Sequence, residues 1–334
     1  MQRIFRRIGA LFKGGPDPAI LMYHRVADLP YDPWGLAVTP AHFAAQLEVL
    51  RKDRLPLSMT EFVSRLEAGS LPRHAVAVTF DDGYLDNLTQ AKPILDRAAV
   101  PATIFLTTGQ LGQGREFWWD ELARMVLGRR AAADGAVRIG GQQIPVHLPP
   151  LAFDATVASQ WRAWETPRTP RECLYLETWQ LLRNLAESER TAGMDALRDL
   201  FRPEAPDPAN LPMERGDIAR LGEGSAIAIG AHSATHRPLT TLSPAEQRQE
   251  IEGSRRACEQ LAGHRVSGFA YPYGDRDADS MRLVRDLGFD WACSTHDSAV
   301  DPARFDRFDL PRRQVLDWDA AMFQRELGGA QRAA

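Results

Sequence analysis

Four apolar runs in this chain end in reactive side chains. Ala75 to Phe80 leads into the adjacent carboxylates Asp81 and Asp82 and then Gly83. Ala226 to Ile229 leads to His232 and His236. Ala19 to Tyr23 is followed by His24, and Gly268 to Ala270 by the turn that holds Tyr273. One carboxylate and two imidazoles are enough to hold a zinc-type cation and leave a position open for water. A second carboxylate next to the first can do a different job. Each piece alone is weak evidence. A strand-ending turn explains Asp-Asp-Gly, and two loop histidines explain His-x-x-x-His. Found together at the ends of buried runs, they favour a metal site.

The runs need elements that carry their ends to one place. β-formers and small residues fill Ala75 to Phe80, as in a strand buried on both faces. Such strands are expected over 19–23, 75–80, 102–106, 226–230, 268–270, 289–294 and 310–315. Helices are expected between them. Thr39-Pro40 starts one, Ser58 with Glu61 another, and Ser243-Pro244 with Glu246 a third. Alternating strands and helices predict an α/β fold with a parallel sheet, whose strand ends share one face. Side chains alternate along a strand, so Asp81 and Asp82 are expected to point opposite ways.

The alternation breaks over 109–215. There the pattern predicts a mainly helical insertion with a hairpin around Gly140-Gly141. Its tryptophans, Trp118, Trp119, Trp161, Trp164 and Trp179, have two readings, core packing or platforms for sugar rings.

Composition bounds the rest. The chain has 334 residues, 44% hydrophobic and 25% charged, with net charge −4. That balance predicts a globular protein and no nucleic-acid partner. Cys173, Cys258 and Cys293 are odd in number and widely spaced, so reduced thiols are expected. Residues 1–15 place Ile4, Phe5, Ile8, Leu11 and Phe12 opposite arginines. This segment reads either as a basic amphipathic helix in peripheral contact with an anionic membrane or as a helix packed on the protein itself. No signal peptide or spanning helix is expected, which suggests a cytoplasmic protein, peripheral at the inner membrane face if the helix binds lipid. A frayed tail is expected over 328–334.

Thr79-Phe80-Asp81-Asp82-Gly83 with His232-Ser233-Ala234-Thr235-His236 resembles the polysaccharide deacetylases, carbohydrate esterase family 4, with the NodB homology domain. Phe269-Ala270-Tyr271-Pro272-Tyr273-Gly274 is similar to that family's third motif. Leu21-Met22-Tyr23-His24-Arg25-Val26 resembles the first strand of the circularly permuted members of exopolysaccharide systems. The resemblance implies a distorted, incomplete (β/α) barrel over 16–327, interrupted by the 109–215 insertion. It implies a metal-dependent hydrolase that removes acetyl groups from N-acetylated sugars of a polysaccharide, oligosaccharide or lipid-linked glycan. Asp82, His232 and His236 would be the ligands of Zn2+ or another divalent ion. Asp81 would be the general base and His24 the general acid. Pro272 and Tyr273 would lie at the oxyanion and substrate side, the latter through its backbone N–H.

Two departures bear on this. A late Leu-x-His-Asp motif is missing, and the late strand reads Leu310-Pro311-Arg312. The arginine that pairs with the catalytic aspartate in many members is also missing from the third motif. Arg312 is a candidate replacement, as partner of Asp81 or on the substrate side, against the reading of a surface ion pair. A non-catalytic carbohydrate-binding protein on the same barrel is the alternative, favoured by the altered third motif and opposed by the complete Asp81, Asp82, His232, His236 set. A sugar-nucleotide transferase with Asp81-Asp82 on a metal diphosphate is a third reading, opposed by the imidazoles, which suit zinc.

Overall fold

A computed structural model describes residues 17–128, 131–150 and 161–328. The amphipathic segment read over 1–15 lies outside the described residues, as does the tail from 329.

The frame is a parallel sheet. Its strands are β1 (Ala19–Tyr23), β4 (Leu55–Pro56), β5 (Ala75–Phe80), β6 (Ala102–Leu106), β9 (Ile227–Ala231), β10 (Gly268–Ala270), β11 (Trp291–Cys293) and β12 (Arg313–Gln314). Two short strands, β2 (Arg25–Val26) and β3 (Ala37–Val38), pair with each other, and β7 (Ala133–Ile139) and β8 (Gln142–Leu148) form an antiparallel hairpin. The main order is β11-β10-β9-β6-β5-β1-β12, with β4 beside the start of β5. Leu310, just ahead of β12, pairs with Cys293 of β11 while Arg313 and Gln314 pair with β1. The segment 310–314 therefore spans both edges of a curled sheet, the distorted, incomplete (β/α) barrel that was expected.

The strands form where β-branched and small residues run together. All residues of β1 and β5 are buried, as strands with side chains on both covered faces must be. The helices start at the expected caps. Thr39 accepts from the His42 N–H ahead of the helix Pro40–Asp53, and Ser243 with Glu246 closes a capping box on Pro244–Ala262. The helix between β5 and β6 opens as one π turn, Asn87–Ala91, before the α-helix Lys92–Ala98. No apolar period announces such a turn.

The described residues of 117–128, 131–150 and 161–201 build a second hydrophobic core. The helices Trp118–Val126, Pro170–Asn184 and Glu187–Phe201 and the β7–β8 hairpin pack around Trp161, Tyr175 and Phe201. Trp118, Trp119 and Trp161 are buried, Trp179 is half-buried and Trp164 is exposed. None of the described helices is long and apolar enough to cross a membrane.

Candidate active site

The C-terminal ends of β1, β5, β9, β10 and β11 meet at a cleft of about 390 Å³ lined by His24, Asp81, Asp82, His232, His236 and Tyr273, among others. The two aspartates reach it differently from the expected alternation. Asp81 extends the strand ladder, its N–H donating to the Tyr23 carbonyl at 3.0 Å. Asp82 leaves the strand with φ 75°, and Gly83 follows at φ 88°. A left-handed residue rotates its side chain out of the strand alternation, so both carboxylates face the cleft. A Cβ on Gly83 would stand 2.8 Å from Leu106 Cδ2, which explains glycine there.

The imidazoles are held as tightly. His232 follows β9 and donates Nδ1–H to the Ala270 carbonyl at 2.8 Å, leaving its Nε2 lone pair free. His236 sits at φ 57°, and its N–H donates to Ser233 Oγ at 3.0 Å. Glu250, on the helix Pro244–Ala262, fixes the intervening loop. Its carboxylate accepts from the N–H groups of Ala234 and Thr235 and from the Thr235 hydroxyl, at 2.9, 2.8 and 2.6 Å. Trp119 and Tyr273 flank the His236 ring at 4.9 and 4.5 Å between centroids. The indole N–H of Trp119 donates to the Tyr84 hydroxyl at 2.8 Å, and Tyr84 donates to Asp120 at 2.6 Å.

His236 Nε2 and His232 Nε2 lie 3.2 Å apart, and Asp82 Oδ1 lies 3.4 and 3.7 Å from them. Asp82 Oδ1 is buried and accepts no hydrogen bond. Burial lowers both imidazole pKa values, which leaves them neutral at neutral pH, the form that ligates metal. Burial, with the Asp81 charge, raises Asp82. Two nitrogen lone pairs and an unpartnered carboxylate oxygen in a buried site fit a borderline divalent cation, and among the described residues these three form the cluster able to hold one.

Asp81 does not belong to that cluster. Arg312 donates Nη1–H to Oδ1 and Nη2–H to Oδ2, both at 2.7 Å, and its Nε–H donates to the Ser294 carbonyl at 3.0 Å. Burial alone would raise the Asp81 carboxyl. The Arg312 charge and hydrogen bonds outweigh it, with His232 and His24 adding, and hold it below the usual carboxylate range. Arg312 is fully buried inside the closing segment and lines no part of the cleft. It is therefore placed to set the state of Asp81, not as a surface ion pair and not on the oxyanion side.

His24 stands part-exposed at the cleft, its pKa pushed down to about 4 by burial, with Arg312 and His232 lowering it further and Asp81 opposing. Tyr273 lines the cleft at φ 58°, whereas Pro272 is buried beneath it and faces no part of the opening. Trp291 packs on Phe105 in the core, 5.8 Å between rings. Glu250, Tyr84, Trp119 and Asp120 support the site without any signal in their spacing. Only a fold shows which loop Glu250 reaches.

The chain matches the polysaccharide deacetylase family over residues 68–131 and 209–292. The matched residues carry a polysaccharide deacetylase domain. A poly-β-1,6-N-acetyl-D-glucosamine N-deacetylase of Staphylococcus epidermidis is 34% identical over 77 residues, 23% of this chain and 27% of the relative. Its Staphylococcus aureus (strain MSSA476) counterpart is 32% identical over 78 residues, 23% and 27% of the two chains. The match thus spans about a quarter of these relatives' length. Among solved structures, the Streptococcus pyogenes deacetylase PplD superposes with TM-score 0.58 at 16% identity, over 94% of this chain and all of that one. IcaB from Ammonifex degensii gives 0.56 at 18%, over 94% and 97%. At these identities the superpositions speak for the fold.

Proposed function

We propose that this protein is a divalent-metal-dependent hydrolase that removes acetyl groups from N-acetylated sugars of a β-linked glucosamine glycan. One observation carries the reading. Asp82, His232 and His236 converge in a buried cleft while a separate carboxylate, Asp81, is locked beside them by Arg312. A sugar-binding protein needs no such set, and Arg312 supplies the arginine whose absence from the third motif favoured that alternative. The two staphylococcal relatives support the acetamide of an amino sugar as the target.

A divalent ion held by the triad supplies Lewis acidity toward the acetamide carbonyl and a water nucleophile at neutral pH. The protein's own residues do the rest. Asp81 stays ionised, stabilises positive charge on the neighbouring imidazoles and is a weak base. His24, neutral above pH about 4, takes up a proton at its ring nitrogen and returns it to the departing amine. This reading moves the base role from Asp81 to His24, which keeps the acid role. The Tyr273 turn orients the acyl group.

The test pairs elemental analysis of the full-length protein with acetate release from N-acetylglucosamine oligomers. Stoichiometric zinc-type metal and chelator-sensitive acetate release are expected. Protein that takes up no metal when supplied with zinc sinks the reading. His24→Ala is expected to keep the metal and lower kcat by about 10²–10⁴-fold. The wild-type rate should rise with pH through the acidic range and hold at neutrality, because His24 must start unprotonated. A rate that falls as pH rises above about 5, the order expected of His24 as acid alone, refutes that assignment.

A further inference from the structure

We infer that Trp164 is the outer sugar platform of the cleft, stacking on a pyranose ring beside the one whose acetamide enters the site. The inference rests on the deacetylase reading for the kind of ring, and its own evidence is an aromatic track. The track starts at the His236 imidazole. Tyr273 lies 4.5 Å from it, Trp179 lies 6.0 Å from Tyr273, and Trp34 lies 4.3 Å from Trp179. Gly35 follows Trp34 in the chain, and the six-membered ring of Trp164 rests on it. A Cβ at Gly35 would stand 3.1 Å from Trp164 Cη2, and the backbone there has φ +62°. All four aromatic side chains line the same cleft.

Of the tryptophans in the 109–215 stretch, Trp164 is the one left open, with 56% of its surface exposed. The chain just ahead of it is fixed. The Ala163 N–H donates to the Pro33 carbonyl at 2.7 Å, and Arg162 Nη1 donates to the Asp32 carbonyl at 2.9 Å. The Asp32 carboxylate in turn accepts from the N–H groups of Leu36 and Ala37 at 2.8 and 3.0 Å, and Gln314 Nε2 donates to the carbonyls of Trp34 and Gly35. An indole that rests on this ledge and stays 56% exposed keeps apolar surface toward water. The apolar C–H face of a pyranose covers such a ring, and little ordering is lost when it does. The cleft itself, about 390 Å³, lies at the small end of the ordinary range for ligand sites. A polymer must leave it over the rim, and Trp164 is a lining residue that is open to solvent.

Binding tests this without turnover. Isothermal titration of the full-length protein with β-1,4- and β-1,6-linked N-acetylglucosamine di- and pentasaccharides compares wild type, Trp164→Ala and Trp164→Phe. Trp164→Ala should weaken the pentasaccharide about tenfold more than the disaccharide, and Trp164→Phe should keep most of the affinity. Equal weakening at both lengths, no weakening, or wild type that binds no oligosaccharide overturns the inference. Acetate release is followed in parallel. Trp164-dependent binding without acetate release would fail the hydrolase reading and keep the platform. Acetate release with unchanged pentasaccharide binding in Trp164→Ala would do the reverse.

Discussion

Asp82→Asn should lose the metal and yet melt higher than wild type once both are stripped with chelator. Asp82 Oδ1 is buried without a donor, beside a second carboxylate. Without a cation that charge is a liability of about 1–3 kcal/mol, the cost of an unsatisfied buried polar group. Asparagine removes the charge at nearly constant shape. In a protein of this size the gain corresponds to a few degrees in Tm. Wild type reverses the order when metal is restored, because a ligand that binds only the folded state at 1,000 times its Kd contributes about 4 kcal/mol. The variant should gain nothing from metal, and its acetate release should fall by about 10³-fold or more, several kcal/mol of lost transition-state stabilisation. The pH dependence has a definite sign. A carboxyl whose pKa is raised on folding lends stability that is full below its unfolded value, near 3.9, and is lost as pH rises through the folded value. Chelated wild type should therefore be more stable at pH 5 than at pH 8, and Asp82→Asn should flatten that slope. Calorimetry with and without zinc reads every arm. Wild-type metal occupancy in the variant would remove Asp82 from the ligand set, and a lower Tm in chelator would mean that Oδ1 has a partner.

The parts of this site that were legible in the sequence are those fixed by local chemistry. Buried β-rich runs announced β1, β5, β6 and β9, and the residues after them were candidates because parallel strands deliver their C-terminal ends together. Caps announced the helices at Thr39, Ser58 and Ser243, since a side chain three residues from its backbone partner needs no tertiary help. The orientation of Asp82 was not legible. A left-handed φ on an aspartate follows from the turn into Gly83 under Leu106, which is a long-range contact. Glu250 looked like any other helix glutamate, because its partners at 234 and 235 are brought near only by the packing of its helix on β9. Among the tryptophans of the insertion, composition could not separate core from surface. The separation depends on which loop each one meets, and for Trp164 that loop is 32–37, more than a hundred residues away.

Arg312→Ala should cost more than any other single change near the cleft, and the loss should be recovered by a second substitution. Arg312 and Asp81 are both buried and joined by two parallel hydrogen bonds at 2.7 Å. Truncating one partner leaves the other charge uncompensated, a penalty of about 3–5 kcal/mol. Arg312→Lys cannot rebuild two parallel bonds and should retain metal while losing most of its turnover. Removing the guanidinium also changes the titration of Asp81. In wild type the depressed carboxyl contributes stability that is full above its unfolded value and is lost only as pH falls through the folded one. In Arg312→Ala burial, opposed only by His232 and His24, raises the carboxyl, so the variant should instead become relatively more stable as pH drops from neutral towards 5. Asp81→Asn in the Arg312→Ala background removes the stranded charge and should restore much of the melting temperature without restoring acetate release. That cycle separates the two parts Arg312 can play. Recovery of stability without activity shows that the pair is needed for the chemistry as well as for closing the barrel. If the double variant regains both, Asp81 has no role in catalysis. If Arg312→Ala is no less stable than wild type, the bidentate pair is not formed in solution.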